Sequence, residues 1–224
     1  MEWWVYMPKV ELHAHLNGSV RDSTLLELAR VLGDEGVIVF SDVEHVIMKD
    51  DRSLHEVFKL FDLIHILTTD HKTVTRITKE VVEDFAYENV VYLELRTTPK
   101  KNDSKGMSKR SYMEAVMEGL RAVTAVDVDF APQSLDARTS LNRIPMNVDF
   151  YNAKHPVILC TDDSGVFSSS LRRSTVSLHQ HLVGLGKKEL FQLARNGIDY
   201  IFADDEVKGD LTEIFSSAAK ELDL

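Results

Sequence analysis

An α/β fold with parallel strands is what three features of this 224-residue sequence predict. Short strand-like runs alternate along the chain with amphipathic helical patterns, the order that builds a sheet covered by helices. The run Pro156-Val157-Ile158-Leu159-Cys160 is apolar throughout, as a parallel strand buried on both faces is. The length suits one sizeable core and no internal repeat divides it, so a single domain over residues 1–224 is expected.

Taken in order, residues 9–16 alternate well enough for a short strand, which ends at the turn signal Asn17-Gly18-Ser19. Asp22 or Ser23 caps a helix to about Leu32, stopped by Gly33. Ser41-Asp42-Val43-Glu44 and Ser53-Leu54-His55-Glu56 both have the capping-box form. The second opens an amphipathic helix with Val57, Phe58, Phe61 and Ile64 on one face, and Val74, Ile77, Val81 and Phe85 mark the next, ending near Asn89. Residues 90–96 read as a strand that runs into Thr97-Thr98-Pro99-Lys100. Residues 100–110 are polar and basic, a loop by composition, and residues 112–123 are helical, with Met113, Val116, Met117 and Leu120 on one side. A third strand is expected at 126–130 and a fourth at 156–160, separated by an irregular stretch at 131–148 with no periodicity. Helices at roughly 187–202 and 205–222 close the chain.

Composition excludes some functions. Lys and Arg total 26 against 36 Asp and Glu, a formal net charge of -10, a poor basis for coating a nucleic-acid backbone. No nucleic-acid partner is expected, although one small anion could sit in a local basic pocket. No apolar run is long enough to span a bilayer, and the N-terminus lacks the apolar core of a signal peptide. The single cysteine, Cys160, rules out an internal disulfide and suits a reducing compartment. A cytoplasmic monomer without membrane contact is expected.

Two motifs carry chemistry. In His13-Ala14-His15 the histidines stand two apart, so on a strand both imidazoles face the same way. Such a pair at the end of a strand is a ready set of metal ligands, although two surface histidines on an edge strand would share the spacing. Thr161-Asp162-Asp163 follows the apolar run at 156–160. Two adjacent carboxylates in a half-buried site repel each other, and a cation relieves that repulsion. Their side chains diverge, so one can ligate a metal while the other faces a substrate. A solvated turn or a helix cap is the plainer reading of Asp-Asp alone. Both motifs sit just past the end of a strand, where α/β barrels place catalytic groups.

The segment Pro8-Lys9-Val10-Glu11-Leu12-His13-Ala14-His15-Leu16-Asn17-Gly18-Ser19 closely resembles the opening motif of the adenosine/AMP deaminases. Leu159-Cys160-Thr161-Asp162-Asp163 resembles their final metal-site strand. The details look most like the adenosine deaminase-like branch, which removes methylamine from N6-methyl-AMP. The likeness covers residues 11–129 and 151–167, and more weakly the C-terminal helices. It implies a (β/α)8 TIM-barrel-type metal-dependent hydrolase fold with one zinc ion. By this resemblance His13, His15 and Asp162 would ligate zinc, with His15 also beside the substrate. Asp163 would align the attacking water or bind the purine, and Asn17 would contact the nucleotide. His65 and the Thr97-Thr98-Pro99-Lys100 turn look like further nucleotide contacts. Physical chemistry supports the last of these independently, since Lys100 and two hydroxyls can hold a phosphate by charge and hydrogen bonds.

Part of the family pattern is missing. The family carries a third zinc histidine and a general acid/base glutamate in a His-x-Gly-Glu motif, and a further catalytic histidine. None of His45, His55, His65, His71, His155, His179 or His181 precedes a Gly-Glu pair. His179 and His181 do not replace the lost ligands, because on a helix they diverge by about 200°. The resemblance therefore implies an incomplete barrel, with residues 1–130 and 151–224 as its N- and C-terminal parts and 131–150 as an irregular junction. A complete barrel takes about 250 residues. Four strands would leave an open sheet with two unpaired edges and marginal stability. The expected function is hydrolytic deamination of a purine nucleotide, N6-methyl-AMP to IMP plus methylamine, impaired by the lost segment. A non-catalytic isoform or paralogue, a deaminase acting on the nucleoside, and another amidohydrolase sharing the His-x-His opening are the alternatives. The Leu16-Asn17-Gly18-Ser19 continuation and the Thr-Asp-Asp ending favour the deaminases over the last.

Overall fold

A computed structural model of the chain describes residues 2–49, 51–124, 157–181 and 185–224. Strand β1 (Lys9–His15) and strand β2 (Val90–Arg96) pair in parallel, with Lys9 opposite Val90 and His15 opposite Arg96. The crossover between them consists of α2 (Asp22–Asp34), α3 (Phe40–Ile47), α4 (Leu54–Leu67) and α5 (His71–Tyr87), after a short α1 (Trp3–Tyr6) ahead of β1. Helix α6 (Lys109–Arg121) follows β2, and α7 (Leu171–His181), α8 (Lys187–Asn196) and α9 (Asp205–Glu221) close the chain.

Residue alternation along β1 sets the core. Val10 and Leu12 join Met7, Phe191, Ile198, Ile201, Leu211 and Phe215 in one apolar cluster. Further along, Ala14 and Leu16 join a larger cluster with Leu25, Leu60, Ile64, Ile77, Tyr112 and Val166. The two histidines of β1 thus sit where the C-terminal helices and the crossover helices both grip the same strand. The helices start as their sequences dictate at several points. Ser53 and Glu56 form the expected reciprocal capping box, with the Glu56 carboxylate accepting from the Ser53 amide at 2.8 Å. Asp70 caps α5 by accepting from the Thr73 amide at 3.0 Å, and Asp204 caps α9 by accepting from Val207 at 3.1 Å.

Other sequence expectations are corrected. Neither Asp22 nor Ser23 caps α2; Arg21 occupies that position, the Asp22 carboxylate is taken by Arg52 at 3.0 Å, and the helix runs past Gly33 to Asp34. The Ser41–Glu44 box does not form, because Phe40, packed on the larger cluster, already opens α3. Phe58 is exposed, since the buried stripe of α4 is Val57, Leu60, Leu63, Ile64 and Leu67. Phe58 lies about 160° round the helix from Leu60. Residues 100–110 contain a 3-10 turn, Asp103–Lys105, and α6 begins at Lys109. The last helices are α8, ending at Asn196 in a 3-10 turn, Gly197–Tyr200, and α9. Gly197 presses against Val10, which leaves no room for a side chain: a Cβ there would lie 2.1 Å from Val10 Cγ2.

The described residues contain two strands where the sequence suggested four. The expected strand at 126–130 and the irregular junction at 131–150 lie outside the described residues. Residues 157–160 form no regular strand, and a single parallel bridge joins Ala14 to Asp162. One reason is local: the Thr161 amide donates to the Glu11 carboxylate at 2.8 Å instead of to a strand carbonyl. No described helix is long and apolar enough to cross a membrane.

Candidate metal centre

The same-face rule for strands brings His13 and His15 together, with their Nε2 atoms 3.2 Å apart. Asp162 arrives from the far end of the sequence, and the His15 amide donates to its carbonyl at 2.8 Å. The Asp162 Oδ1 atom then lies 3.6 Å from His13 Nε2 and 3.3 Å from His15 Nε2. Asp162 holds φ +64°, a left-handed conformation that costs on the order of 1–3 kcal/mol in a residue other than glycine. Among the described residues, these three form the one group of His, Cys, Asp or Glu side chains able to hold a metal ion.

The spacing fits zinc. Four ligands at bonds of about 2.0–2.1 Å around a tetrahedral ion stand about 3.3–3.4 Å from one another. The observed 3.2, 3.3 and 3.6 Å match one triangular face of that tetrahedron. The His13 imidazole titrates below its ordinary value, first because it is buried and then because the Arg96 cation is close, with Asp162 opposing. Metal ligation needs the neutral ring that this environment favours. One contact runs the other way. Arg96 Nη1 lies 2.5 Å from His13 Nδ1, while Nη2 donates to the Leu12 carbonyl at 2.9 Å. Guanidinium only donates, so this contact makes Nδ1 an acceptor and puts the ring proton on Nε2. Ligation through Nε2 requires that contact to open.

Around these three side chains the chain is tied by long-range hydrogen bonds. Glu11, fully buried on β1, accepts from the His13 amide through Oε1 and from the Thr161 amide and hydroxyl through Oε2, all at 2.8 Å. Burial raises its carboxyl pKa and these hydrogen bonds offset the rise. The neighbouring Cys160 thiol is pushed up to about 12, chiefly by burial. The Gly18 carbonyl accepts from the Gly165 and Val166 amides at 2.9 and 3.0 Å. Asp163 is not one of the three side chains and lies against Gly18, where an added Cβ would fall 1.7 Å from its Oδ1.

The other sequence candidates form two small groups. Lys100 donates to Thr68 Oγ1 at 2.7 Å, and burial lowers its pKa to about 8. His65 is exposed, and its pKa is lowered first by partial burial and then by the Lys100 charge beside it. The Thr97 hydroxyl meets the Tyr112 hydroxyl at 2.6 Å, and Tyr112 also bonds the Asn17 side chain. Asn17 Oδ1 is buried without a partner among the described residues. Thr98 is exposed and Pro99 half-buried. Sequence reasoning missed Glu11, Arg96, Thr68 and Tyr112. Glu11 alone left a signal, standing two residues before His13 on the same strand face.

Comparison with known proteins places this geometry. The adenosine deaminase family model matches residues 8–129. An N6-mAMP deaminase from Arabidopsis thaliana is 44% identical over 354 aligned positions that take in 99% of each chain. Because this chain has 224 residues, that alignment carries gaps on its side. The bovine N6-methyl-AMP deaminase is 34% identical over 166 residues, and the chain spans 47% of its length. The apo structure of the Arabidopsis N6-methyl-AMP deaminase superposes with a TM-score of 0.87, over 98% of this chain and 99% of that one. A complex of the Arabidopsis protein with IMP, 44% identical, gives the same TM-score over 99% of both chains. An adenine deaminase from Arthrobacter aurescens, 13% identical with a TM-score of 0.70 over 95% and 99% of the two chains, shares the fold alone. The fold is thus of the TIM-barrel hydrolase type in incomplete form, and the chain belongs to the adenosine deaminase family, by descent a hydrolytic purine deaminase.

Proposed function

We propose that this chain holds one zinc ion through His13, His15 and Asp162 and binds a purine nucleotide, N6-methyl-AMP, for hydrolysis to IMP and methylamine. The convergence of two Nε2 atoms and one carboxylate oxygen within 3.2–3.6 Å carries this reading. The names of the Arabidopsis and bovine relatives, and the relative's IMP complex, support the choice of substrate and product.

A zinc ion in this position supplies Lewis acidity toward a water aimed at C6 of the purine. The chain's own groups do the rest. Asp163, which lies against Gly18, would accept a hydrogen bond from that water or from the purine ring. Asn17 Oδ1, buried and unpartnered among the described residues, is an acceptor waiting for a donor on the ligand. Lys100 pairs with no carboxylate among the described residues, and burial lowers its pKa. A 5′-phosphate there, with His65 alongside, would relieve that. Thr97, Thr98 and Pro99, the irregular segment between β2 and Lys100, would be further nucleotide contacts.

Turnover is impaired in this reading. The sequence has no His-x-Gly-Glu motif, so the group that would carry a proton to the ring nitrogen is missing. Loss of a general acid/base costs about 10²–10⁴ in rate. The gaps in the alignment with the Arabidopsis relative, an alignment that spans both ends of each chain, support a single domain lacking an internal block. A monomer in the reducing cytoplasm suits a chain with one cysteine. The test is metal analysis of purified protein, together with methylamine release from N6-methyl-AMP and ammonia release from AMP and adenosine. About one zinc per chain, lost in the His13→Ala and Asp162→Asn variants, is expected. Zinc-free protein that takes up no added zinc would refute the site.

A further inference from the structure

Arg52 lies between α3 and α4, far in sequence from His13, His15 and Asp162, yet its side chain is 1% exposed. Nη1 donates to the carbonyls of Gly165 at 3.0 Å and Val166 at 2.8 Å and to Ser168 Oγ at 3.0 Å. On its other edge, Nε donates to the Val46 carbonyl at 3.0 Å and Nη2 to Asp22 Oδ1 at 3.0 Å and to the Ile47 carbonyl. One planar group therefore joins the α2–α3 region to the turn just after Asp162 and Asp163.

That turn needs holding. Asp162 and Ser168, at φ +64° and +47°, are two left-handed residues that bracket it, and neither is glycine. Such conformations persist only where the surroundings over-determine them. At residues 165–166 the amides donate to the Gly18 carbonyl, and the carbonyls accept from Arg52. The backbone is thus gripped on one side by the loop that follows His15 and on the other by Arg52.

We propose that Arg52 is a positioning residue for the metal centre: its guanidinium fixes the turn over residues 161–168 so that Asp162 presents its carboxylate to His13 and His15. The proposal rests on the metal reading above. A lysine does not reproduce the function, because one ammonium lacks the planar fork that reaches acceptors on both edges at once.

The test is cobalt(II) titration of the full chain, followed by visible d–d absorption. Arg52→Lys and Arg52→Met are compared with wild type, with Asp162→Asn as the ligand-loss control. Arg21→Met, which cuts the 2.7 Å pair between Arg21 and Asp84 without touching the turn, controls for general destabilisation. Outer-shell changes weaken metal binding by about 10–100-fold. Arg52→Met is expected in that range and Arg52→Lys at its lower end, with altered band shape, while Arg21→Met binds as wild type does. If Arg52→Met does not fold, Arg52→Lys decides. Wild-type affinity and spectrum in Arg52→Lys would overturn the proposal and leave the metal reading standing. So would an equal loss in Arg21→Met, or an Arg52→Lys chain that fails to fold, since either makes the role one of stability alone. A wild-type chain with no cobalt(II) signal would remove both.

Discussion

Nucleotide binding should weaken with rising pH because of one lysine. The Lys100 ammonium is half-buried, hydrogen-bonded to Thr68, and titrates near 8. At pH 7 about nine-tenths of it is charged and at pH 9 about one-tenth. A nucleotide phosphate has its second pKa near 6 and is already dianionic across this range. The His65 imidazole beside Lys100 is held below its ordinary pKa, first by burial and then by the Lys100 charge. If the phosphate binds the charged lysine, the Kd for AMP should rise about tenfold between pH 7 and pH 9, with proton uptake on binding near and above pH 8. A charge-assisted hydrogen bond contributes about 1.5–3 kcal/mol, so Lys100→Met should weaken AMP about 10–150-fold at pH 7 and flatten the pH dependence. Stability should move oppositely. The folded pKa is depressed from 10.5 to about 8, so between those values the unfolded chain holds more protons. The penalty of burying the charge is complete below pH 8 and lifts as pH rises toward 10.5. Lys9, also lowered to about 8 by burial, adds to stability in the same sense. Calorimetric titration with AMP and adenosine at pH 7, 8 and 9 tests the argument, adenosine serving as the phosphate-free control. An AMP affinity that is flat across this range, or unchanged in Lys100→Met, would refute it.

Three other outcomes follow from the packing. Gly18→Ala sets a Cβ within 1.7 Å of Asp163 Oδ1 and 2.7 Å of its Cβ, so the whole side chain must move; overpacking of this kind costs about 1–3 kcal/mol, and weaker AMP binding in calorimetry should accompany a lowered melting midpoint. Glu11→Gln turns one acceptor edge into a donor facing the His13 or Thr161 amide; about 1–3 kcal/mol of stability should go, with zinc content, read by metal analysis, falling alongside. Phe215→Ala empties a fully buried position packed edge-on against Phe191 with ring centroids 5.6 Å apart; a loss of about 3–5 kcal/mol in denaturant unfolding, with the zinc site intact, is expected.

The parts of this structure that sequence could show were those fixed by local periodicity. A spacing of two placed His13 and His15 on one face, and the Ser53–Glu56 and Val74–Phe85 patterns set helix starts and buried stripes. What stayed hidden was decided by partners distant along the chain. Arg52 meets residues more than a hundred positions away, and Glu11 takes the Thr161 amide from any strand ladder. Ser41 has the same box spacing as Ser53, but the packing of Phe40 moves the start of the helix past it. Asp162 lay between the two cases: its position after an apolar run marked it, but only the bridge to Ala14 brings it to the histidines.

The proposed site separates holding an ion from performing the reaction. Among the described residues, the contacts that bring His13, His15 and Asp162 together include Glu11 to Thr161, His15 to Asp162, and Gly18 to Gly165 and Val166. None of them needs the His-x-Gly-Glu motif that the sequence lacks. The remaining obstacle to an ion is Arg96, whose cation rests on His13. Arg96 has somewhere else to go, since Glu94 Oε2 lies 3.8 Å from its Nη2 and burial holds the Glu94 carboxyl above its ordinary pKa. A guanidinium that closes up on Glu94 tightens a pair that already exists, frees Nδ1 of His13 to take the ring proton and leaves the Nε2 lone pair for the ion. On the proposed function, metal affinity should therefore survive the absence of that motif far better than turnover does.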